Sequence, residues 1–157
     1  MHPAEVCAVL MTHRDVDDAI VLPKLLAQIP QGTKIEVVIG DGAYDTMAAR
    51  TAIAGCGALA VIPPMEGAVH WDASQAGALE RNEAIEHIAR SGKQDWKDNT
   101  GYHRRSLVEN LMYRLKTLTG DRLWARDMDV QDTEIAVRVG IINRMLVLAR
   151  PKSVRMA

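Results

Sequence analysis

Residues 34–64 constrain the fold of this chain more than any other stretch. Ile35, Val37, Val38 and Ile39 are β-branched and close together, which favours a pleated strand over residues 34–39. The run leads straight into Gly40-Asp41-Gly42-Ala43-Tyr44-Asp45. A helix is expected next over residues 46–55, then a second buried strand over residues 58–62, which Pro63-Pro64 stops. Strand, turn, helix and strand in this order predict a parallel pair joined by a crossover helix, and hence an α/β fold.

The turn carries the first candidate for chemistry. Open α/β sheets place ligands beyond the carboxyl ends of their strands, where Asp41 falls. Glycines on either side permit a tight turn and the close approach of a phosphate or metal. The plainer reading is that Asp41 caps the turn, with Asp45 an even better N-cap for the following helix.

The rest of the chain extends the pattern. Residues 5–12 hold the apolar run Val6-Cys7-Ala8-Val9-Leu10-Met11, short and unbroken like a strand buried on both faces. A helix is expected from about residue 15, with Val16, Ile20, Leu22, Leu25 and Leu26 inward and Pro23 near its first turn or at a kink. Residues 79–90 read as a helix and residues 91–101 as a polar connector holding Trp96. Asp129 to Asp132 offer caps for a last helix over residues 133–148, with Ile135, Val139, Ile142, Met145 and Leu146 at helical spacing.

With 157 residues the chain, 1–157, is expected to be one domain or a large piece of one. It has no Phe and three each of Trp and Tyr, so its core must be aliphatic. No apolar run approaches the roughly 20 residues of a membrane span, and no secretory apolar region follows Met1. Cys7 and Cys56 lack metal-ligand spacing and read as buried reduced thiols, which places the protein in the cytoplasm. The net charge of −1 conceals a gradient. Residues 1–96 carry seven Lys or Arg against thirteen Asp or Glu, whereas residues 97–126 carry seven against three. A nucleic-acid backbone would lie along that positive segment.

Within the positive segment, Tyr102, Arg105, Glu109 and Lys116 form a spaced set. On one continuous α-helix their side chains would fall within an arc of roughly 60°. Leu107, Val108, Leu111, Met112, Leu115 and Leu118 would face the other way, onto a core. A carboxylate able to hold a metal, flanked by groups that grip phosphate, suits phosphodiester chemistry. The same face also reads as an ordinary solvated helix surface with Arg105 and Glu109 as an i, i+4 pair.

The spacing resembles the Tyr-Arg-Glu-Lys signature of bacterial insertion-sequence transposases of the DDE type, as do the flanking residues Gly101 to Glu109 and Arg114 to Thr117. The Asp41-Gly42-Ala43-Tyr44 string is similar to the region of the second catalytic Asp in that family, and it precedes the Glu in the family's order.

That resemblance implies a ribonuclease H-like mixed sheet flanked by helices. It implies Asp41 and Glu109 as the second and third of three acids that hold two Mg²⁺ (or Mn²⁺) ions for strand nicking and transfer. Tyr102, Arg105 and Lys116 are implied as DNA-binding residues near the cleaved phosphate. The first acid has no counterpart: Asp15, Asp17 and Asp18 lie at an expected helix start. The chain therefore reads as an N-terminally truncated, partial transposase catalytic domain that lacks the first strand and is inactive alone. Its expected partners are transposon-end DNA, a second copy as a homodimer, or a full-length transposase. The alternative is a DNA-binding or regulatory remnant that pairs with the full-length enzyme.

Overall fold

The computed structural model describes residues 5–13 and 15–148. They form two compact units, one of Thr12–Ser106 and one joining the first residues, as far as Met11, to those from Leu107 onward. The larger unit contains α1 (Asp18–Ala27), β1 (Val37–Ile39), α2 (Met47–Gly55), β2 (Leu59–Val61) and α3 (Ala78–Thr100). Two 3₁₀ turns, Gly42–Tyr44 and Tyr102–Arg105, complete it. The smaller unit is built on α4 (Ser106–Thr119), whose first residue belongs to the larger unit, and α5 (Met128–Leu148). No helix among the described residues is long and apolar enough to cross a membrane.

The expected parallel pair is present. Val37, Val38 and Ile39 lie opposite Leu59, Ala60 and Val61, and α2 makes the crossover. The mixed sheet implied by resemblance is represented among the described residues by this pair alone. Ile53 of α2 and Ile62 beyond β2 are fully buried, with Ala19 and Leu22 of α1, Ala49 of α2 and Ala58 around them. Leu26, Ile35, Val38 and Tyr44 close the cluster, so the core is aliphatic as composition requires.

Several expectations are corrected. The helix after β1 is capped by Thr46, whose Oγ1 accepts from Ala49 N–H at 3.2 Å, rather than by Asp45. Pro23 is the sixth residue of α1, past the first turn, and deprives the Ala19 carbonyl of its helical donor. The polar connector is helical, since α3 continues to Thr100 through a break at Gly92, which has φ 87° and ψ 160°. Gly77 caps the start of α3 with φ 75°, and an added Cβ there would stand 2.9 Å from Arg50 Cβ. Only glycine meets both demands.

The expected strand over residues 5–12 is irregular. Its backbone finds side-chain partners in place of a sheet: Val6 N–H donates to Asn143 Oδ1 at 2.9 Å and Val6 C=O accepts from Asn143 Nδ2 at 2.8 Å. Met11 N–H donates to Asp132 Oδ1 at 3.1 Å. Asp127 receives the Asp129 N–H at the start of α5, ahead of the caps expected from sequence. Cys56 is exposed and Cys7 half-buried, so the reading of both as buried thiols does not hold.

Candidate functional site

Asp41 lies two residues beyond the carboxyl end of β1. Its Oδ1 accepts from Ala43 N–H at 3.1 Å, which caps the Gly42–Tyr44 turn as the plainer reading held. Neither flanking glycine has positive φ. Gly40 is small for another reason, because a Cβ there would press to 3.2 Å of the Tyr44 ring.

The second oxygen of Asp41 is engaged as well. Arg105 Nη2 donates to Asp41 Oδ2 at 3.2 Å across 64 residues of sequence. The pair is half-exposed, with side-chain exposures of 32% for Arg105 and 43% for Asp41. Burial raises the Tyr44 phenol above its ordinary pKa, and Asp18, Asp41 and Asp17 add to the shift. Three carboxylates thus bear on one phenol, and Arg105 supplies a cation at this acidic corner.

The Tyr102–Lys116 segment is not one α-helix. Tyr102–Arg105 is a 3₁₀ turn, and α-helix proper starts at Ser106. A 3₁₀ helix has three residues per turn, so Tyr102 and Arg105 still share a face. The Tyr102 ring stacks against buried Trp96, 5.6 Å between centroids and tilted by 46°, with Lys97 Nζ 5.6 Å from its centre.

Glu109 and Lys116 are exposed on α4, seven residues apart and hence about two turns along one face. Of the apolar residues expected beneath them, Leu115 is buried and Leu111 packs against it. Leu107, Val108, Met112 and Leu118 are between 42% and 59% exposed, which corrects the picture of a buried stripe. Met145 of α5, expected in the core, is also exposed.

Sequence reasoning missed a buried charge cluster beside the turn. Asp45, set aside as a cap, is inaccessible and receives two arginines on Oδ1, Arg50 Nε and Arg81 Nε, each at 2.9 Å. Its Oδ2 takes Met65 N–H at 3.1 Å. Arg50 also reaches Ile62 C=O, while Arg81 reaches Val69 C=O and lies 4.1 Å from the centre of the Trp71 ring. Two cations on one buried anion leave a net positive interior. Burial accordingly lowers the Arg50 pKa, with Asp45 opposing the shift, and Arg50 Nη1 has no hydrogen-bond partner. Asp45 and Arg81 are 36 positions apart, so no local signal marks this contact.

As it stands, Asp41 does not suit a divalent cation: both oxygens are engaged and a guanidinium occupies one side. Among the described residues no three His, Cys, Asp or Glu side chains gather as a metal-binding group.

The family model described as the transposase DDE domain covers residues 2–144. No solved structure matches the chain.

Proposed function

The chain belongs to the transposase DDE domain family, and from that premise we propose that it is a fragment of the catalytic domain of an insertion-sequence transposase. The family's work is DNA transposition, and its members generally use divalent metal ions. In this reading the fold is ribonuclease H-like, Asp41 and Glu109 are the second and third acids, and Tyr102, Arg105 and Lys116 hold DNA. The chain alone grips DNA ends without cutting them, because only these two acids carry matching motifs.

One observation supports the reading above others. Two motifs far apart in sequence meet at one point, where Arg105 of the Tyr-Arg-Glu-Lys set touches Asp41 of the strand-end motif. A solvated helix face has no reason to present its arginine to that particular acid. The adjacent Trp96 and Lys97 fix the face of Tyr102 on the same turn.

Duplex binding followed by fluorescence anisotropy tests it. Lys116→Ala should weaken binding several-fold and make the salt slope shallower by about one unit, as expected for a lost phosphate contact. Wild-type affinity and salt slope in the variant would overturn the assignment of Lys116. Supercoiled plasmid with Mg²⁺ should stay unnicked, and nicking that vanishes in Glu109→Gln would overturn the inactivity.

The second reading is a regulatory remnant that pairs with a full-length transposase. The apolar residues left exposed on α4 and α5, among them Val108, Met112, Val137 and Ile141, favour it. A strictly monomeric chain in sedimentation, alone and with full-length enzyme, would remove it.

A further inference from the structure

We propose that Trp124 is a stacking platform for a base of an unpaired nucleic-acid strand, with Arg122 and Arg126 holding the phosphates on either side. The loop that carries them lies wholly in the smaller unit, and the family reading assigns it no role.

Residues 120–127 join α4 to α5 without regular structure. Their side chains alternate: Arg122, Trp124 and Arg126 are exposed, whereas Leu123 and Ala125 are half-buried. Trp124 is 89% exposed, the highest value among the large hydrophobic side chains described. Burying an indole stabilises a fold strongly, and this chain has no Phe and only three Trp to draw on. The other two are covered, Trp96 by burial and Trp71 by the Arg81 guanidinium.

A single exposed ring is ordinary on a loose loop, but this loop is fixed from below. Trp124 N–H donates to both Glu134 oxygens, at 3.1 and 2.9 Å, and Ala125 N–H donates to one of them at 2.8 Å. Ala125 C=O accepts from Gln131 Nε2 at 3.0 Å. Buried Arg138 donates to Gly120 C=O at 3.0 Å and to Arg122 C=O at 2.7 Å. α5 thus holds the backbone while the ring stays in water, so little ordering cost remains when a flat partner arrives.

The flanking charges choose the partner. Among the described residues neither the Arg122 nor the Arg126 guanidinium makes a hydrogen bond or ion pair. Asp121 and Asp127 close the loop at its ends, the latter engaged by Asp129 N–H. Exposed Arg114 and Lys116 on α4 add positive charge to the same unit. Along a nucleic-acid strand every base lies between two phosphates, and the order cation, ring, cation is its complement. A base inside a duplex has both faces covered, so a ring displayed in this way suits an unpaired strand. A lipid surface would be met by several apolar side chains together, whereas Leu123 and Ala125 turn partly inward.

Anisotropy of a labelled oligothymidylate added to the full chain tests the platform, beside a strand of equal length whose sugars lack bases. Wild type should bind the oligothymidylate about tenfold more tightly than the abasic strand. Trp124→Ala should lose that preference at an unchanged salt slope, and Trp124→Tyr, which keeps a ring, should retain most of it. Arg122→Gln should weaken both strands alike and make the slope shallower by about 0.7, as one lost phosphate contact on a single strand requires. Oligouridylate run alongside tells RNA from DNA as the source of the strand, and binding of either through Trp124 supports the platform.

A wild-type preference in Trp124→Ala, or equal binding of the two strands by wild type, would overturn the platform. Phosphatidylserine vesicles that shift the fluorescence of wild type but not of Trp124→Ala, without strand binding, would overturn it in favour of a lipid surface. A dimer in sedimentation that Trp124→Ala dissolves and oligothymidylate leaves intact would overturn it in favour of a second copy. Duplex binding by Lys116→Ala is a separate readout: its failure removes only the Lys116 assignment, and a failed strand preference removes only the platform.

Discussion

In the Thr12–Ser106 unit, Asp45 lies inside the protein between two arginines, while in the smaller unit Glu134 keeps to the rim of a comparable network. There, buried Arg138 reaches Gly120 C=O, Arg122 C=O and Glu134, and Glu134 takes the Trp124 and Ala125 N–H groups. Both networks tie a loop to a helix. The first stands beside a full aliphatic core, whereas the second accompanies a cluster of three buried residues, Leu115, Ile142 and Leu146. The interior ion cluster is therefore the costlier one to disturb, because a charge orphaned there cannot recover water. The rim network should yield gradually, since solvent replaces what it loses.

The largest effect should come from Asp45→Ala, which leaves Arg50 and Arg81 buried without their anion. A loss of about 3–5 kcal/mol is expected, seen as a sharp fall in the urea midpoint. A loss below about 1 kcal/mol would mean that the two arginines escape to solvent, erasing the contrast with the rim network.

Paired core truncations come next. Ile53→Ala should cost about 3–4 kcal/mol, since Ile53 is fully inaccessible among α1, α2 and β2 residues. Ile142→Ala, in the sparser cluster, should cost about 2 kcal/mol because the surrounding helices have fewer neighbours to lose. Equal losses by urea denaturation would show the two cores to be equivalent.

The smallest effect is set by pH. Chiefly through the Ala125 N–H, then with help from Trp124 N–H and Arg138, Glu134 is held below its ordinary pKa of 4.5. A depressed carboxyl stabilises the fold above its unfolded value and loses that contribution as pH falls through its folded value. Glu134→Gln should therefore lower stability slightly near neutrality and flatten the decline below 4.5. An acid limb identical to wild type in urea midpoints would remove Glu134 from the network.

How much of this was legible in advance varied with how local the cause was. β1, α2 and β2 were readable because β-branched runs, turn glycines and a stopping Pro63-Pro64 act within a few residues. α3 was read too short, since its second half has few apolar residues and a glycine break, with Trp96 alone among its last residues buried. Residues 5–12 looked like a strand by composition, but a strand needs a backbone partner, and here Asn143 took that role. For the candidate site, the place of Asp41 after a strand and the spacing of Tyr102, Arg105, Glu109 and Lys116 are visible in the sequence, whereas the contact between Asp41 and Arg105 is not.

The sequence by itself determined the family and the parallel pair, because motif spacings and strand propensities are written residue by residue. Tertiary structure alone decided that Asp45 would be an interior anion rather than a cap, that Arg81 would join it, and that Arg105 would close on Asp41. Those outcomes depend on which distant charges are brought within hydrogen-bond reach and how much water is shed there, neither of which is a property of local sequence.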